Sequence, residues 1–195
     1  MEQDLTVVAA ADAGWEAVET VLMADASSRN CWCQFHVLEN KVARKTTRQS
    51  RRILLQNQVT TLDPPRGLIA LAGGGPVGWC GVEPRTRLGH VLASNLTRKA
   101  SPFALDDPDV WAIYCIFVPK AFRGKGVAAR LLSAAVGHAA DHGARAIEGY
   151  PFDLTDRDGV LPQGVSTGSV GMFEREGFQA AGALPSGRTL VYRGL

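Results

Sequence analysis

Residues 111–132 read WAIYCIFVPKAFRGKGVAARLL and combine three kinds of segment in a short stretch. Apolar, β-branched and aromatic side chains fill residues 110–118, which predicts a central strand covered on both faces. The loop RGKG at 123–126 follows, and apolar residues then recur at helical spacing from Val127 onward. The stretch therefore predicts a strand, a basic glycine loop and a helix, in that order.

The loop at 123–126 has the chemistry of a phosphate site. Backbone N–H groups in the first turn of a helix lack intrahelical partners, and the helix dipole adds positive charge there. Gly124 and Gly126 permit close approach of a ligand, and Arg123 and Lys125 supply charge. A solvated basic loop is the alternative interpretation of these four residues. The spacing matches neither a P-loop nor a Rossmann fingerprint.

Two motifs carry a resemblance to a known family. The pattern Arg123-x-x-Gly126-x-Ala128 resembles the acetyl-CoA-binding signature of the GNAT superfamily of N-acetyltransferases. The segment MFEREGF at 172–178 is similar to that family's late motif Leu-Tyr-Glu-Lys-Leu-Gly-Phe. The resemblance covers most of the chain and is more specific from Leu68 onward.

The pattern of the whole chain predicts an element order close to that of the family. Strands are predicted at residues 5–10, 68–72, 76–83, 110–118, 146–150, 178–183 and 188–192. Helices are predicted from Asp12, over 37–59, from Val127 and over 167–176. The resemblance implies an α/β (α+β) fold in one domain over residues 1–195, with a mixed, mostly antiparallel sheet splayed at the acetyl-CoA site and flanked by helices. Residues 84–108 are interpreted as a lid or acceptor-site loop.

Composition narrows the classes of function. The net charge is +2 and the pI is near 8.4, and this excess of basic residues is too small to indicate nucleic-acid binding. The basic face of the helix at 37–59 is favoured as a solvated surface. The acidic start and the lack of a long apolar run predict a cytoplasmic protein that does not enter a membrane. Four cysteines in a reducing compartment predict free thiols.

The resemblance implies acetyl-CoA as the acyl-donor substrate and no metal. A primary amine of a small molecule or peptide would attack the thioester directly, and a backbone N–H near Phe117 or Val118 would stabilise the oxyanion. A homodimer is compatible with the family. The implied acetyl-CoA contacts are Ile116, Phe117, Val118, Arg123, Gly124, Lys125, Gly126, Val127, Ala128 and Phe173.

The proton transfers are not assigned by the resemblance. The central strand holds no acidic residue, so a general base must come from neighbouring segments, with Glu83 and Glu148 ahead of Asp109 and His36. The family's proton-donating tyrosine is replaced by Phe173, which leaves Tyr114, Tyr150 and Ser166 as alternative donors. The catalytic candidates are therefore Glu83, Glu148 and Tyr150. A catalytically silent acyl-CoA sensor is the alternative function.

The segment Cys31-Trp32-Cys33, with His36 nearby, is open to three interpretations. A zinc site would need further ligands at suitable spacing, and none is present. A thiol pair packed under the first helices is favoured over metal binding. In the third interpretation the segment lines the acceptor pocket, with Trp32 and Phe35 as an apolar or cation-binding wall.

Overall fold

The computed structural model describes residues 4–154 and 167–195. A seven-stranded sheet in the order β1-β2-β3-β4-β5-β7-β6 forms its centre. The strands are β1 Thr6–Ala9, β2 Leu68–Ala72, β3 Gly75–Pro84, β4 Val110–Phe117, β5 Ala146–Gly149, β6 Gln179–Leu184 and β7 Arg188–Gly194. The helices are α1 Ala10–Ala13, α2 Trp15–Met23, α3 Ala26–Cys31, α4 Asn40–Ala43, α5 Arg48–Thr61, α6 Gly89–Leu92, α7 Asn95–Ala100, α8 Val127–Asp141 and α9 Val170–Arg175. This mixed, mostly antiparallel arrangement confirms the predicted fold class.

The parallel contact between β4 and β5 is short. It pairs Val110–Ile113 with Ala146–Gly149, whereas β4 stays paired with β3 as far as Phe117. Beyond Ile113, β4 therefore has a strand partner on its β3 side alone among the described residues. The sheet splays at this point and leaves an open edge along the last residues of β4.

Helices cover both faces of the sheet. On one face, Val18 and Leu22 of α2 and Leu55 of α5 pack with Trp79 and Leu190 of the sheet. On the other face, the apolar side of α8 packs against strand residues such as Ile113 and Ile147. The sequence pattern predicts seven positions for this side, of which Ala128 is only partly buried; the buried ones are Val127, Leu131, Leu132, Ala135, Val136 and Ala139.

A β-bulge in β4 aims two adjacent side chains at the same face. Gly81 pairs with Cys115 while Val82 pairs with Ile113, so Tyr114 is an extra residue in β4. Tyr114 and Cys115 consequently both face the layer of α2 and α5. A Cβ atom at Gly81 would lie 2.7 Å from Cζ of Tyr114, so this position requires glycine.

Three sequence-based predictions of local structure were wrong. The helix predicted from Asp12 begins later, because Asp12 lies within α1 and Gly14 is the N-cap residue of α2. The helix predicted over 37–59 is divided, because Thr47 caps α5 by accepting a hydrogen bond from the Ser50 N–H at 3.1 Å. Residues 84–108, predicted as a loop, contain the short helices α6 and α7. No helix within the described ranges has the length and apolarity to cross a bilayer.

Candidate active site

A cavity of about 290 Å³ opens where β4 separates from β5. We call it the first cavity. Cys115 and Phe117 of β4 line it, together with Cys31 and Cys33, at and after the end of α3. Thr167 also lines it. The open edge of β4 thus borders a partly open cleft.

A second cavity of about 190 Å³ adjoins the first. Phe35, His36 and Arg188 line both cavities, so the two meet at these side chains. The rest of its wall includes Tyr150 and the β6–β7 turn from Leu184 to Ser186. Residues 91–97, within the segment interpreted as an acceptor-site loop, also contribute. The cleft therefore runs from the splayed end of β4 to the β6–β7 turn.

The loop at 123–126 presents an open helix N-terminus. Gly126 is the N-cap residue of α8 with φ +77°, and no described side chain caps this end. Gly124 has φ +73°, and a Cβ atom at either glycine would meet nothing within 4 Å. The Arg123 Nε donates to the Val118 carbonyl at 2.9 Å, which ties the loop to the end of β4. The first N–H groups of α8 are therefore free to bind an anion.

Glu83 lies inside the protein, paired with Arg66 and beside the Tyr114 hydroxyl. Its carboxylate accepts hydrogen bonds from Nε and Nη2 of Arg66 at 3.0 and 2.7 Å, and both side chains are buried. Burial raises the pKa of Glu83 against the opposing effect of the Arg66 charge. Glu83 lines neither cavity. The structure therefore does not bring this catalytic candidate into the cleft.

Glu148 reaches the cleft only through Tyr150. One carboxylate oxygen of Glu148 accepts from Arg85 at 2.8 Å and from the Ser101 hydroxyl. The other accepts from the Tyr150 hydroxyl at 3.3 Å, and Tyr150 lines the second cavity. Burial, with the Glu148 charge, raises the pKa of Tyr150 well above its usual value, so its hydroxyl stays protonated.

His36 lies at the junction of the two cavities. Its ring stacks on Tyr150 with centroids 6.0 Å apart. Burial lowers the pKa of His36 to about 3, and the positive charge of Arg188 and the neighbouring His90 act in the same direction. The imidazole is therefore neutral at neutral pH. The sequence ranked His36 behind the glutamates, but it is His36 that borders both cavities.

The sequence analysis missed Arg188. Its Nη1 donates to the Tyr150 carbonyl at 3.1 Å and to the Thr167 hydroxyl at 2.8 Å. The guanidinium carbon lies 4.2 Å from the centre of the Phe152 ring. In the sequence this residue is an ordinary arginine at the start of a strand, and only the fold places it on the wall of the cleft.

Cys31 and Cys33 line the first cavity, and Sγ of Cys33 lies 3.0 Å from Sγ of Cys115. Burial raises the pKa of both Cys31 and Cys33, so they are thiols. The four cysteines are free in this structure. Within the described residues, no group of three or more His, Cys, Asp or Glu side chains is arranged to hold a metal ion. This arrangement favours the interpretation of the segment as a pocket wall.

Other predicted site residues have different positions. Trp32 is buried and stacks on Trp15, so it does not line the cleft as predicted. Phe173 is fully buried over Gly149, where a Cβ atom would lie 2.3 Å from Cε1 of the Phe173 ring. Phe173 therefore borders the point of splay from inside the core. Asp109 is exposed at the opposite end of β4, and Ser166 lies outside the described residues.

The Tyr114 ring lines the first cavity, but its hydroxyl points towards Gly81. Burial raises the pKa of Tyr114 well above its usual value. The three alternative proton donors thus have different positions. The hydroxyl of Tyr114 points inward, Tyr150 lines the second cavity, and Ser166 is outside the described part of the chain.

Comparison with known proteins gives a consistent result. A model of the acetyltransferase (GNAT) family matches residues 29–151. No curated protein matches the chain. The solved structures similar to it include the PaiA N-acetyltransferase of Thermoplasma acidophilum in complex with coenzyme A, at 14% identity over 98% of this chain and 99% of that one, with a TM-score of 0.55.

Two further solved structures are similar to this chain over nearly its whole length. The ribosomal-protein-alanine N-acetyltransferase of Brucella melitensis is 15% identical over 97% of this chain and 99% of that one, with a TM-score of 0.56. A GCN5-related N-acetyltransferase from Kribbella flavida is 20% identical over 98% of each chain, with a TM-score of 0.56. At these identities the likeness shows the fold.

Proposed function

The chain belongs to the acetyltransferase (GNAT) family, and from that premise we propose that it transfers the acetyl group of acetyl-CoA to a primary amine of a small molecule or peptide. One observation carries the proposal. The splayed edge of β4 connects the uncapped N-terminus of α8 to the first cavity. A long ligand with a phosphate group at one end and a thioester at the other suits this arrangement.

The donor binds along this connection. Its pyrophosphate lies on the backbone N–H groups from Arg123 to Ala128, where the helix dipole favours negative charge. Its pantetheine arm follows Ile116–Val118 and takes the place of the missing strand partner of β4. The thioester then enters the first cavity, where a backbone N–H of this edge near Phe117 or Val118 stabilises the developing oxyanion.

The acceptor amine approaches through the second cavity. Attack forms the C–N bond, the amine loses a proton, and the tetrahedral intermediate collapses with loss of the CoA thiolate. Tyr150 contacts the acceptor: its hydroxyl oxygen takes the proton that the amine loses while its own proton moves to Glu148, the carboxylate to which it already donates. Neutral His36 accepts a hydrogen bond from the amine and so orients it.

A catalytically silent acyl-CoA sensor is the second candidate. Phe173 has no proton to give to the leaving thiolate, and both glutamate candidates are buried in ion pairs. These two observations favour binding without turnover. They do not affect the proposed acetyl-CoA site. Both functions therefore predict acetyl-CoA binding, and only the transferase predicts reaction with an acceptor.

Two measurements test the proposal. Acetyl-CoA at about 100 times its dissociation constant should stabilise the folded protein by roughly 2.7 kcal/mol in a thermal-shift titration. Release of CoA thiol should then be followed with a panel of primary amines. Stabilisation without thiol release would favour the sensor, and no stabilisation at millimolar acetyl-CoA would overturn both functions.

Gly126→Asp tests the position of the phosphate site. A carboxylate at the N-cap would bind the N–H groups of α8 itself and repel phosphate, so we expect at least a tenfold weaker affinity for CoA by calorimetry. Gly126→Asn is the matched control because it has the same shape without the charge, and it should lose less affinity. Equal affinity in Gly126→Asp and the parent protein would show that the phosphates bind elsewhere.

A further inference from the structure

Arg188 is a partly buried arginine on the wall of both cavities, and its ion pairing differs from that of the two fully buried arginines. Arg66 and Arg85 each face a glutamate, with N–O distances of 2.6 Å to Glu83 and 2.8 Å to Glu148. In the described ranges 4–154 and 167–195, no carboxylate oxygen lies within 4.0 Å of the nitrogens of Arg188. Partial burial removes some of the water around this guanidinium, so an anion that enters the cleft would supply a counter-charge that the described residues do not.

The guanidinium is also held in a fixed orientation. Its Nη1 is engaged by the Tyr150 carbonyl and the Thr167 hydroxyl, and its plane lies over Phe152. Its Nε and Nη2 donate to no group in the part of the chain that the structure describes. Two N–H groups of a planar fork are the arrangement that binds a carboxylate in bidentate fashion.

The side chain lies in the cleft and not on an outer surface. Arg188 lines both cavities at their junction, beside His36. No aspartate or glutamate among the described residues lines either cavity. An acceptor with several positive charges would find no counter-charge there, whereas an acceptor with an anionic group would find Arg188.

We propose that Arg188 binds a carboxylate of the acceptor, so that the substrate is an amino acid whose amine is acetylated. This proposal rests on the proposed acetyl transfer. The amine lies beside His36 and Tyr150, and the carboxylate lies on Arg188, which contacts the Tyr150 carbonyl. Because Arg188 and His36 both lie where the two cavities meet, an amine and a carboxylate on one carbon atom, as in an α-amino acid, suit the site. Phe35, Leu184 and Pro185 give the second cavity an apolar wall for its side chain.

The test compares two acceptors that differ only in the carboxylate. CoA release is measured with leucine and with leucinamide, and binding of N-acetylleucine and N-acetylleucinamide to the CoA complex is measured by calorimetry. We expect at least a tenfold preference for the carboxylate in kcat/KM and in affinity, since a hydrogen-bonded charge pair is worth more than 1.4 kcal/mol. Ethanolamine phosphate is included as an anionic acceptor with a different head group.

Arg188→Gln should abolish the preference for leucine over leucinamide, so that the ratio of their kcat/KM values falls to about one. Arg175→Gln is the matched control because Arg175 is an exposed arginine of α9, and it should keep the preference. If Arg188→Gln does not fold, Arg188→Lys serves instead, since it keeps the charge but loses the fork, and the preference should fall there too.

The outcomes separate this proposal from the proposed function. Equal use of leucine and leucinamide, an unchanged preference in the Arg188 variants, or a tenfold preference for ethanolamine phosphate would overturn the carboxylate site while acetyl transfer stands. Tight binding of N-acetylleucine that depends on Arg188, without thiol release from any amine, would support the carboxylate site and overturn the transferase.

Discussion

Tyr150 is the residue through which a buried carboxylate contacts the cleft. Its hydroxyl donates to Glu148, whose other oxygen is held by Arg85 and Ser101. Removing this hydroxyl breaks the proposed path for the amine proton. We expect Tyr150→Phe to lower kcat about 100-fold, with little change in CoA affinity. Steady-state thiol release and calorimetry measure the two quantities.

Tyr192→Phe is the control for this variant. Tyr192 also donates a hydroxyl hydrogen bond, to Gln179 at 3.2 Å, but it lies on β7 away from both cavities. The Tyr192→Phe protein should keep the kcat of the parent protein. A Tyr150→Phe protein with full kcat would exclude the path through Glu148.

We expect Glu83 to contribute to the stability of the folded protein and not to kcat. It forms a buried ion pair with Arg66 and lines neither cavity. Glu83→Gln leaves the Arg66 charge without its partner, so we expect the free energy of unfolding to fall by about 3–5 kcal/mol. Urea denaturation measures this loss, and kcat per folded molecule should change little.

The double variant Arg66→Met with Glu83→Met tests the same ion pair by removing both charges. Both charges are then absent and apolar side chains fill the space, so much of the lost stability should return. A Glu83→Gln protein that is fully stable but inactive would restore Glu83 as the catalytic base.

At the scale of elements, the break before α5 depends on one hydroxyl. Thr47 caps the helix, and Arg51 donates to the carbonyls of Asn30 and Ala43 on the preceding segments. Thr47→Ala removes the capping acceptor and should cost about 1 kcal/mol of unfolding free energy. Chemical denaturation measures the change.

Thr47→Ser keeps the acceptor oxygen and should stay within about 0.5 kcal/mol of the parent protein. Should both variants lose the same stability, the methyl group of Thr47 and not its hydroxyl would be responsible.

The sequence predicted those elements whose residues carry a local, periodic signal. The uninterrupted apolar run of β4 and the helical stripe of α8 both appear in the structure close to their predicted bounds. The division of 37–59 was missed because the basic residues continue across it at helical spacing. A capping hydroxyl outweighs that spacing at Thr47, and a single threonine gives a weak signal.

The cleft was predictable only in part. The glycine loop at 123–126 has a local signature, and the structure leaves its helix end open as that signature requires. Arg188, His36 and Tyr150 come from three distant segments and meet only after the sheet has formed. No spacing in the chain relates them, and the same fold buries Glu83, which the sequence had ranked first with Glu148.

At the scale of the whole molecule, the sheet consists of two parts with a short join. Strands β1–β4 and β5–β7 share only the four residue pairs between Val110–Ile113 and Ala146–Gly149. The amides of β4 beyond Ile113 that face away from β3 have no strand partner in the described chain. A donor that fills this gap should supply acceptors for them and join the two parts more firmly.

Hydrogen exchange measured by mass spectrometry tests this consequence. Acetyl-CoA should slow exchange at residues 114–118 and at the first turn of α8, because pantetheine covers the former and pyrophosphate the latter. S-acetylpantetheine lacks the pyrophosphate, so at saturation it should protect 114–118 and leave the first turn of α8 unchanged. Protection of α8 alone by acetyl-CoA would mean that the pantetheine arm does not enter the splay, and the acetyl group would then lie outside the first cavity.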